Sequence, residues 1–472
     1  MELGQKSVVH FVSQFGATIA GFLATIFLAR VLGADTLGTY FLVIAVLTWV
    51  KMFSTMGITR SVSKRISETD EPDEFLTAGV LLQAASVVIV SFFILLFRGQ
   101  LQQYTGYNDI EILIVLLLAG SFFGFVTSLL VGEGLAHVAG GLKPLDRIIR
   151  TVVQLTLVLF GFELLGLFLG YIIASAIAAT VGIYFVAAKI EYPEKRHFVS
   201  LWSYAKYSWI GNFSNRSLAS MDTIVLGFFV TSDLIGIYEI AWNVASVLAV
   251  FGVSINQTLF PEISSLDEED SEEVADLAQT GVAYSGLFLI PGLIGGAVLG
   301  EVILSVYSAE FRQGYRILVI LILARLISTY KSQFTNVIDG VNRPDVSFRI
   351  DSAFVAANIV LNVVLVYLYS WIGAAIATTV SALLGAILSH VALLRLTEFR
   401  FPIVEVSKQV VSALIMGIFV YGSAEFLAYK LVPSLLLIPV GAVMYFTVLL
   451  TISHRFRTIV QNNTPDRVYS FK

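Results

Sequence analysis

Long apolar stretches recur along this chain, each closed by a short polar segment. A helix needs about 20 apolar residues to cross roughly 30 Å of hydrocarbon. Stretches near 8–32, 36–57, 75–97, 110–132, 145–162, 165–188, 204–230, 233–258, 277–300, 314–338, 346–369, 372–394, 405–428 and 433–452 approach or exceed that length. Strand-type alternation is absent, so the pattern predicts a bundle of about fourteen transmembrane helices rather than a barrel. The connections are short, which leaves no room for an extramembrane domain carrying a soluble active site. The first apolar stretch runs on through a full span with no small-residue cleavage site, so no cleaved signal peptide is expected.

Within these stretches, polar residues fall at helical spacing in a few places. In the seventh, Asn212, Arg216 and Ser220 line one face, with Asn215 and Asp222 beside them. In the tenth, Arg325, Thr329, Ser332 and Asn336 share a face. Lys51 in the second and Lys331 in the tenth lie nearer the inner side. Glu239 in the eighth lies at a depth similar to that of Asp222.

Lysine and arginine near the span ends set orientation. With the N-terminus inside, nineteen of them fall in inner segments, including Arg60, Lys64, Arg65, Lys143, Arg147 and Arg150. Five fall outside: Arg30, Arg98, Arg312, Arg316 and Lys430. Both termini are therefore expected in the cytoplasm. The inner loop 259–276 has no basic residue and contains the acidic run LDEEDSEEVAD at 266–276, read as a solvated loop.

The chain repeats itself. ADTLGTY at 34–40 returns as SDLIGIY at 232–238, matching Asp35, Gly38 and Tyr40 to Asp233, Gly236 and Tyr238. At the same offset Gln14 falls on Asn212, Phe15 on Phe213 and Leu28 on Leu226. TAGV at 77–80 and GLKP at 141–144 find looser partners in QTGV at 279–282 and VNRP at 341–344. Both copies start inside, so the repeat is parallel, as in two-lobed alternating-access transporters. The expected organisation is an all-α polytopic membrane protein with two pseudo-symmetric six-helix lobes, 1–199 and 200–397, plus two C-terminal helices and a tail at 398–472. In the motif, Asp suits the first turn of the next helix, Gly a sharp reversal and Tyr the interfacial belt.

Composition sharpens this picture. The 472 residues are 57% hydrophobic and only 13% charged, with mean hydropathy +0.84. Soluble proteins average about 25% charged. There are no cysteines, so neither disulfides nor thiolate metal sites are expected, and the five histidines, His10, His137 and His390 among them, are scattered. No Gly-x4-Gly-Lys-[Ser/Thr] occurs, and the net charge is −5, so neither ATP hydrolysis nor nucleic acid binding is expected. Gly-rich GLIGGAVLG at 292–300 is apolar and lacks the strand–helix context of a dinucleotide loop, so close helix packing is its reading. No cofactor is implied.

LARVLGADTLGTYFLVIAVLTWVKMFSTMGITRSVSKRIS at 28–67 resembles the opening signature of polysaccharide flippases of the multidrug/oligosaccharidyl-lipid/polysaccharide exporter superfamily. LFPEIS at 259–264 and GAAIATTVSALL at 373–384 resemble further segments of that family. The resemblance implies export of a lipid-linked oligosaccharide, of polyprenyl or dolichyl phosphate type, across the cytoplasmic membrane. It also implies a non-enzymatic transporter of twelve spans in two lobes, often with two added spans.

A charge deep in the membrane is costly unless it faces a cavity or a partner. Arg216, Arg325, Lys51, Asn212 and Lys331 are therefore candidates for a basic cavity that takes a phosphate or pyrophosphate, because guanidinium forks suit phosphate oxygens. The structural alternative is that these cations pair with carboxylates or snorkel. Asp222 and Glu239 are candidates for binding a coupling H+ or Na+, or for pairing with Arg216. Two other functions compete: an ion-coupled drug antiporter of the same superfamily, and a membrane glycan polymerase or glycosyltransferase. Antiporters usually carry an acid deep in the first or seventh span, whereas the mid-membrane charge here is mainly positive. Polymerases and transferases typically need a large outer loop or a juxtamembrane domain with paired carboxylates, and neither is visible.

Overall fold

The computed structural model describes the backbone of residues 3–69, 71–217, 220–266 and 271–463, and side chains within 21–69, 71–206, 220–266 and 272–461. The described residues form helices, with no strand among them. By length and composition, ten helical segments are long and apolar enough to cross a membrane. Contacts divide the chain into two compact units, Met1–Gly236 and Ile237–Lys472.

In the first unit, α1 (Leu3–Thr55) is interrupted at Gly33, whose backbone is left-handed. α2 (Ile58–Glu68), α3 (Pro72–Leu96), α4 (Arg98–Thr105) and α5 (Ile112–Gly132) follow, then α6 (Ala136–Leu159), α7 (Glu163–Ile183), α8 (Lys195–Ser217) and α9 (Met221–Phe229). The two apolar stretches expected at 8–32 and 36–57 thus run together through a kink at one glycine. The connector after α7 is held by carboxylates. Glu133 accepts from the amides of Ala187 and Ala188, and Asp73 from that of Lys189. The buried ring of His197 and the guanidinium of Arg196 both meet Glu71, and the His197 bond foremost holds its carboxyl below the usual range.

α10 (Ser232–Ser264) opens with the second copy of the repeated motif. Its first turn, which belongs to the first unit, meets the first copy. A Cβ on Gly38 would stand 1.7 Å from the carbonyl oxygen of Ser232, and one on Gly236 would stand 2.1 Å from that of Ala34. Ala34 and Ser232 are themselves one repeat offset apart, so the motif packs on its own copy. Backbone approach this close needs glycine on both sides. Leu28 and Leu226, paired in the repeat, are both buried. One tyrosine of the motif departs from expectation. Tyr238 is 1% exposed, a core residue rather than part of an interfacial belt. The Tyr40 hydroxyl takes a bond from Gln154.

The second unit contains most of α10, then α11 (Ser271–Ser285) and α12 (Leu289–Ser305), broken apart at 286–288 inside one expected span. α13 (Tyr315–Gly340), α14 (Pro344–Leu396), α15 (Ile403–Phe426), α16 (Leu431–Ile452) and α17 (His454–Asn463) complete it. α14 has 53 residues and would measure ~80 Å if straight. It breaks at Ser370, and a Cβ on Gly373 would lie 2.0 Å from the Leu365 carbonyl, so the chain doubles back there. That accounts for the two expected spans at 346–369 and 372–394. In the Gly-rich 292–300 segment, Gly292 packs against Leu248 and Gly296 against Ile322. His390 sits among Phe334, Phe399 and Phe401, a packing role.

Candidate functional site

α6 is amphipathic in a way its neighbours are not. Lys143, Asp146, Arg147, Arg150, Thr151 and Gln154 recur every three or four residues, so they share one face. That face meets Gly21, Ala24, Thr25 and Leu28 of α1 around a cavity of about 380 Å³. Arg150 is 14 residues into a 24-residue helix, ~21 Å along its axis.

α7 supplies the support. Gly170 admits Gln154, since a Cβ there would lie 2.3 Å from the glutamine Cγ. That close approach sets the register one turn further on. The Tyr171 ring lies 4.0 Å from the Arg150 guanidinium, a cation–π contact. Arg150 Nη2 reaches Asp146 Oδ2 at 2.6 Å, and Ser175 Oγ donates to the other oxygen at 3.0 Å. Asp146 is 7% exposed, so both its oxygens are spoken for within the protein. Arg147 lies along α1, its Nη2 3.3 Å from where a Cβ on Gly21 would be.

Lys51 lies beside this wall. A Cβ on Gly120 would lie 3.1 Å from Lys51 Nζ and 2.7 Å from the Tyr171 hydroxyl, so these two groups are within about 6 Å of each other. Among the described residues lining the cavity, Lys143, Arg147 and Arg150 stand beside one carboxylate, Asp146. The wall carries a surplus of positive charge, which suits an anionic ligand. Replacing Asp146 with alanine should leave Arg150 without its counter-ion and destabilise the protein by roughly 3–5 kcal/mol. Asp146→Asn, which keeps an acceptor for Ser175, should cost less. Thermal unfolding in detergent checks both, and an Asp146→Ala midpoint equal to that of the wild type would show that the pair carries no such stability.

Of the residues singled out from the sequence, Lys51 stands beside this wall, on the far side of Tyr171. The side chains of Asn212 and Arg216 lie outside the described residues. Asp222, in the first turn of α9, is half-buried and engaged with neighbours. In the second unit, the polar face of α13 packs along α10. The Arg325 guanidinium stacks 3.9 Å from the Trp242 ring and donates to Ser246. Thr329 fits against Gly252. Asn256 donates to Ser332 at 2.9 Å, and Asn336 to the Asn256 carbonyl at 3.1 Å. Lys331 pairs with Asp351, and Glu239 is half-buried and engaged.

Arg147 and Arg150 were legible in the sequence only as orientation signals. Their three- and four-residue spacing with Lys143, Asp146 and Gln154, at the start of the stretch 145–162, was the available clue.

A bundle of long apolar helices with a cationic wall inside one unit defines a polytopic membrane protein of transporter type. The chain belongs to the polysaccharide biosynthesis protein family, whose model matches residues 3–267. It is 30% identical over 467 residues to the Probable flippase AglR of Haloferax volcanii, with 98% of each chain covered. It is 26% identical to that organism's Probable low-salt glycan biosynthesis flippase Agl15, covering 89% of this chain and 90% of the relative. The fold is shared with the Lipid II flippase MurJ in an inward closed conformation, at a TM-score of 0.81 and 16% identity, over 96% of this chain and 100% of that one.

Proposed function

We propose that this protein is a flippase that moves a lipid-linked oligosaccharide across the cytoplasmic membrane by alternating access, for assembly of surface polysaccharide or glycan. The observation that carries the reading is the surplus of cations on the α6 wall, Lys143, Arg147 and Arg150, with Lys51 beside it. A polyprenyl or dolichyl phosphate is the anion that must leave water during such a transfer. Guanidinium groups replace its hydration with charge-assisted bonds. Asp146 and Tyr171 hold Arg150 in place beforehand, so less side-chain freedom is lost on binding. Flippase names among the relatives support the same reading.

Translocation makes and breaks no covalent bond, so the proposed role is not enzymatic. The test is protein-dependent transfer of a labelled lipid-linked oligosaccharide between leaflets of reconstituted vesicles. Transfer no faster than in protein-free vesicles, with folded protein present, would count against the proposal. The antiporter reading would rest on Asp222, the acid of the seventh expected span, because Asp146 is already committed to Arg150 and Ser175. Arg216 and Arg325 stay proposed phosphate contacts, and Arg325 would have to exchange Ser246 for the ligand.

The proposed orientation has both termini in the cytoplasm, following the basic inner segments. The chain has no cysteine of its own. A cysteine at Ser67 should therefore resist an impermeant thiol reagent applied to intact cells, and labelling from outside would reverse the topology. Coupling to H+ or Na+ is proposed to run through Asp222 or Glu239. Asp222→Asn or Glu239→Gln should then remove the dependence of transfer on the ion gradient while substrate binding survives. Unchanged gradient dependence in both would end that idea.

A further inference from the structure

A second charged cavity lies in the other unit, where α15 begins, α16 ends and α17 turns away. Its volume is about 570 Å³, and it is lined by Thr280, Glu405, Lys408, His454, Arg455 and Thr458, with Ile459. Ser453 fixes this corner. Its hydroxyl accepts from the Phe456 amide, capping α17, and donates to Glu405 Oε2 at 2.6 Å. Lys408 holds the other Glu405 oxygen at 2.7 Å, so the carboxylate is compensated from both sides.

Donors then outnumber acceptors. Arg455 uses Nη2 for Thr280, at 2.8 Å, and for Asp276, at 3.2 Å, and Asp276 is largely exposed. Its remaining guanidinium donors have no hydrogen-bond partner among the described residues. One turn along α11 from Thr280, the Tyr284 hydroxyl is buried and has none either. The Tyr284 ring lies 5.9 Å from that of Phe456, the residue that follows Arg455 of the cavity lining. A buried hydroxyl without a partner is costly to keep out of water. It calls for an acceptor that the described residues do not supply.

We propose that this cavity seats the phosphate of an anionic lipid headgroup, bound by Lys408, Arg455, Thr280 and the Tyr284 hydroxyl. Phosphate chemistry matches the excess of donors. The lipid source follows from the rim. Ile403 and Val404, adjoining Glu405, are 67% and 62% exposed, and Val460 beside Ile459 is also exposed. Acyl chains cover such a rim, whereas aqueous phosphate leaves it bare. Two apolar helices of membrane-spanning length meet a short amphipathic one here, which is the level where headgroups sit.

The test compares the full chain in phosphatidylcholine vesicles with and without phosphatidylglycerol. Retention of each lipid is read by native mass spectrometry, and stability by thermal unfolding. Wild type should retain phosphatidylglycerol preferentially and unfold at a higher temperature with it. Tyr284→Phe should lower that preference roughly tenfold. Its stability in pure phosphatidylcholine should be unchanged or raised, since the buried hydroxyl is gone. A Lys408→Ala, Arg455→Ala double variant should lose the preference, and if it fails to fold, Tyr284→Phe decides alone. Wild-type retention of phosphatidylglycerol by Tyr284→Phe would overturn the site. Equal thermal protection by inorganic phosphate would overturn the lipid assignment.

Discussion

Arg147→Ala should reduce translocation of a lipid-linked oligosaccharide about ten- to a hundredfold, as a lost charge-assisted phosphate contact of roughly 1.5–3 kcal/mol requires. Arg147 gives the cleaner measurement of the two arginines. It is exposed in the cavity and borders the small side of α1 at Gly21, so its removal should not disturb folding. Arg150 is different, because Arg150→Ala alone strands the buried Asp146 carboxylate. The matching variant is Asp146→Ala with Arg150→Ala, which removes the pair together. Arg150→Lys should recover part of the activity, because it keeps the charge but loses the fork and much of the stacking on Tyr171. Transfer is measured in vesicles and normalised to folded protein. Wild-type transfer by the combined Asp146→Ala, Arg147→Ala, Arg150→Ala variant would remove the α6 wall from the mechanism.

Gly38→Leu should sharply lower both the yield of folded protein and its unfolding midpoint, and Gly236→Leu should do the same. Even a methyl group at either position meets a backbone carbonyl oxygen, at 1.7 Å and 2.1 Å, and backbone cannot swing aside as a flexible side chain can. Overpacking of this kind costs typically 1–3 kcal/mol, occasionally more. The symmetry of the contact gives a sharper expectation for the alanine variants. Separating the two helices to accommodate one methyl also makes room for the other. The Gly38→Ala, Gly236→Ala double variant should therefore cost clearly less than the sum of the singles. Additive losses, or none, would show that the two glycines do not share one crossing.

Much of the architecture was readable in one dimension. The extents of the apolar stretches are local, since a helix crossing hydrocarbon must satisfy its own backbone and keep lipid-facing residues apolar. The described residues of these stretches are largely helical, and ten helical segments are long and apolar enough to cross a membrane. The repeat was also legible, because Asp35, Gly38 and Tyr40 recur at fixed spacing whatever they touch. What the sequence left hidden was that Gly38 and Gly236 touch each other, and that Tyr238 is a core residue rather than an interfacial one.

The site divides along the same line. A period of 3.6 shows which residues share a face but not what that face meets. The polar stripe of Arg325, Thr329, Ser332 and Asn336 was visible as a stripe, yet only the fold turns it against Trp242, Ser246, Gly252 and Asn256 of α10. Arg147 and Arg150 counted by their charge as markers of an inner segment. Gly170 and Gly21, distant in sequence, bring α7 and α1 close enough to α6 to give those charges a cavity, an ion pair and an aromatic support. Length and polarity are properties each helix carries alone. Whether a buried cation meets a carboxylate, a ring or open space depends on which glycine lets which neighbour approach, and that is settled between helices.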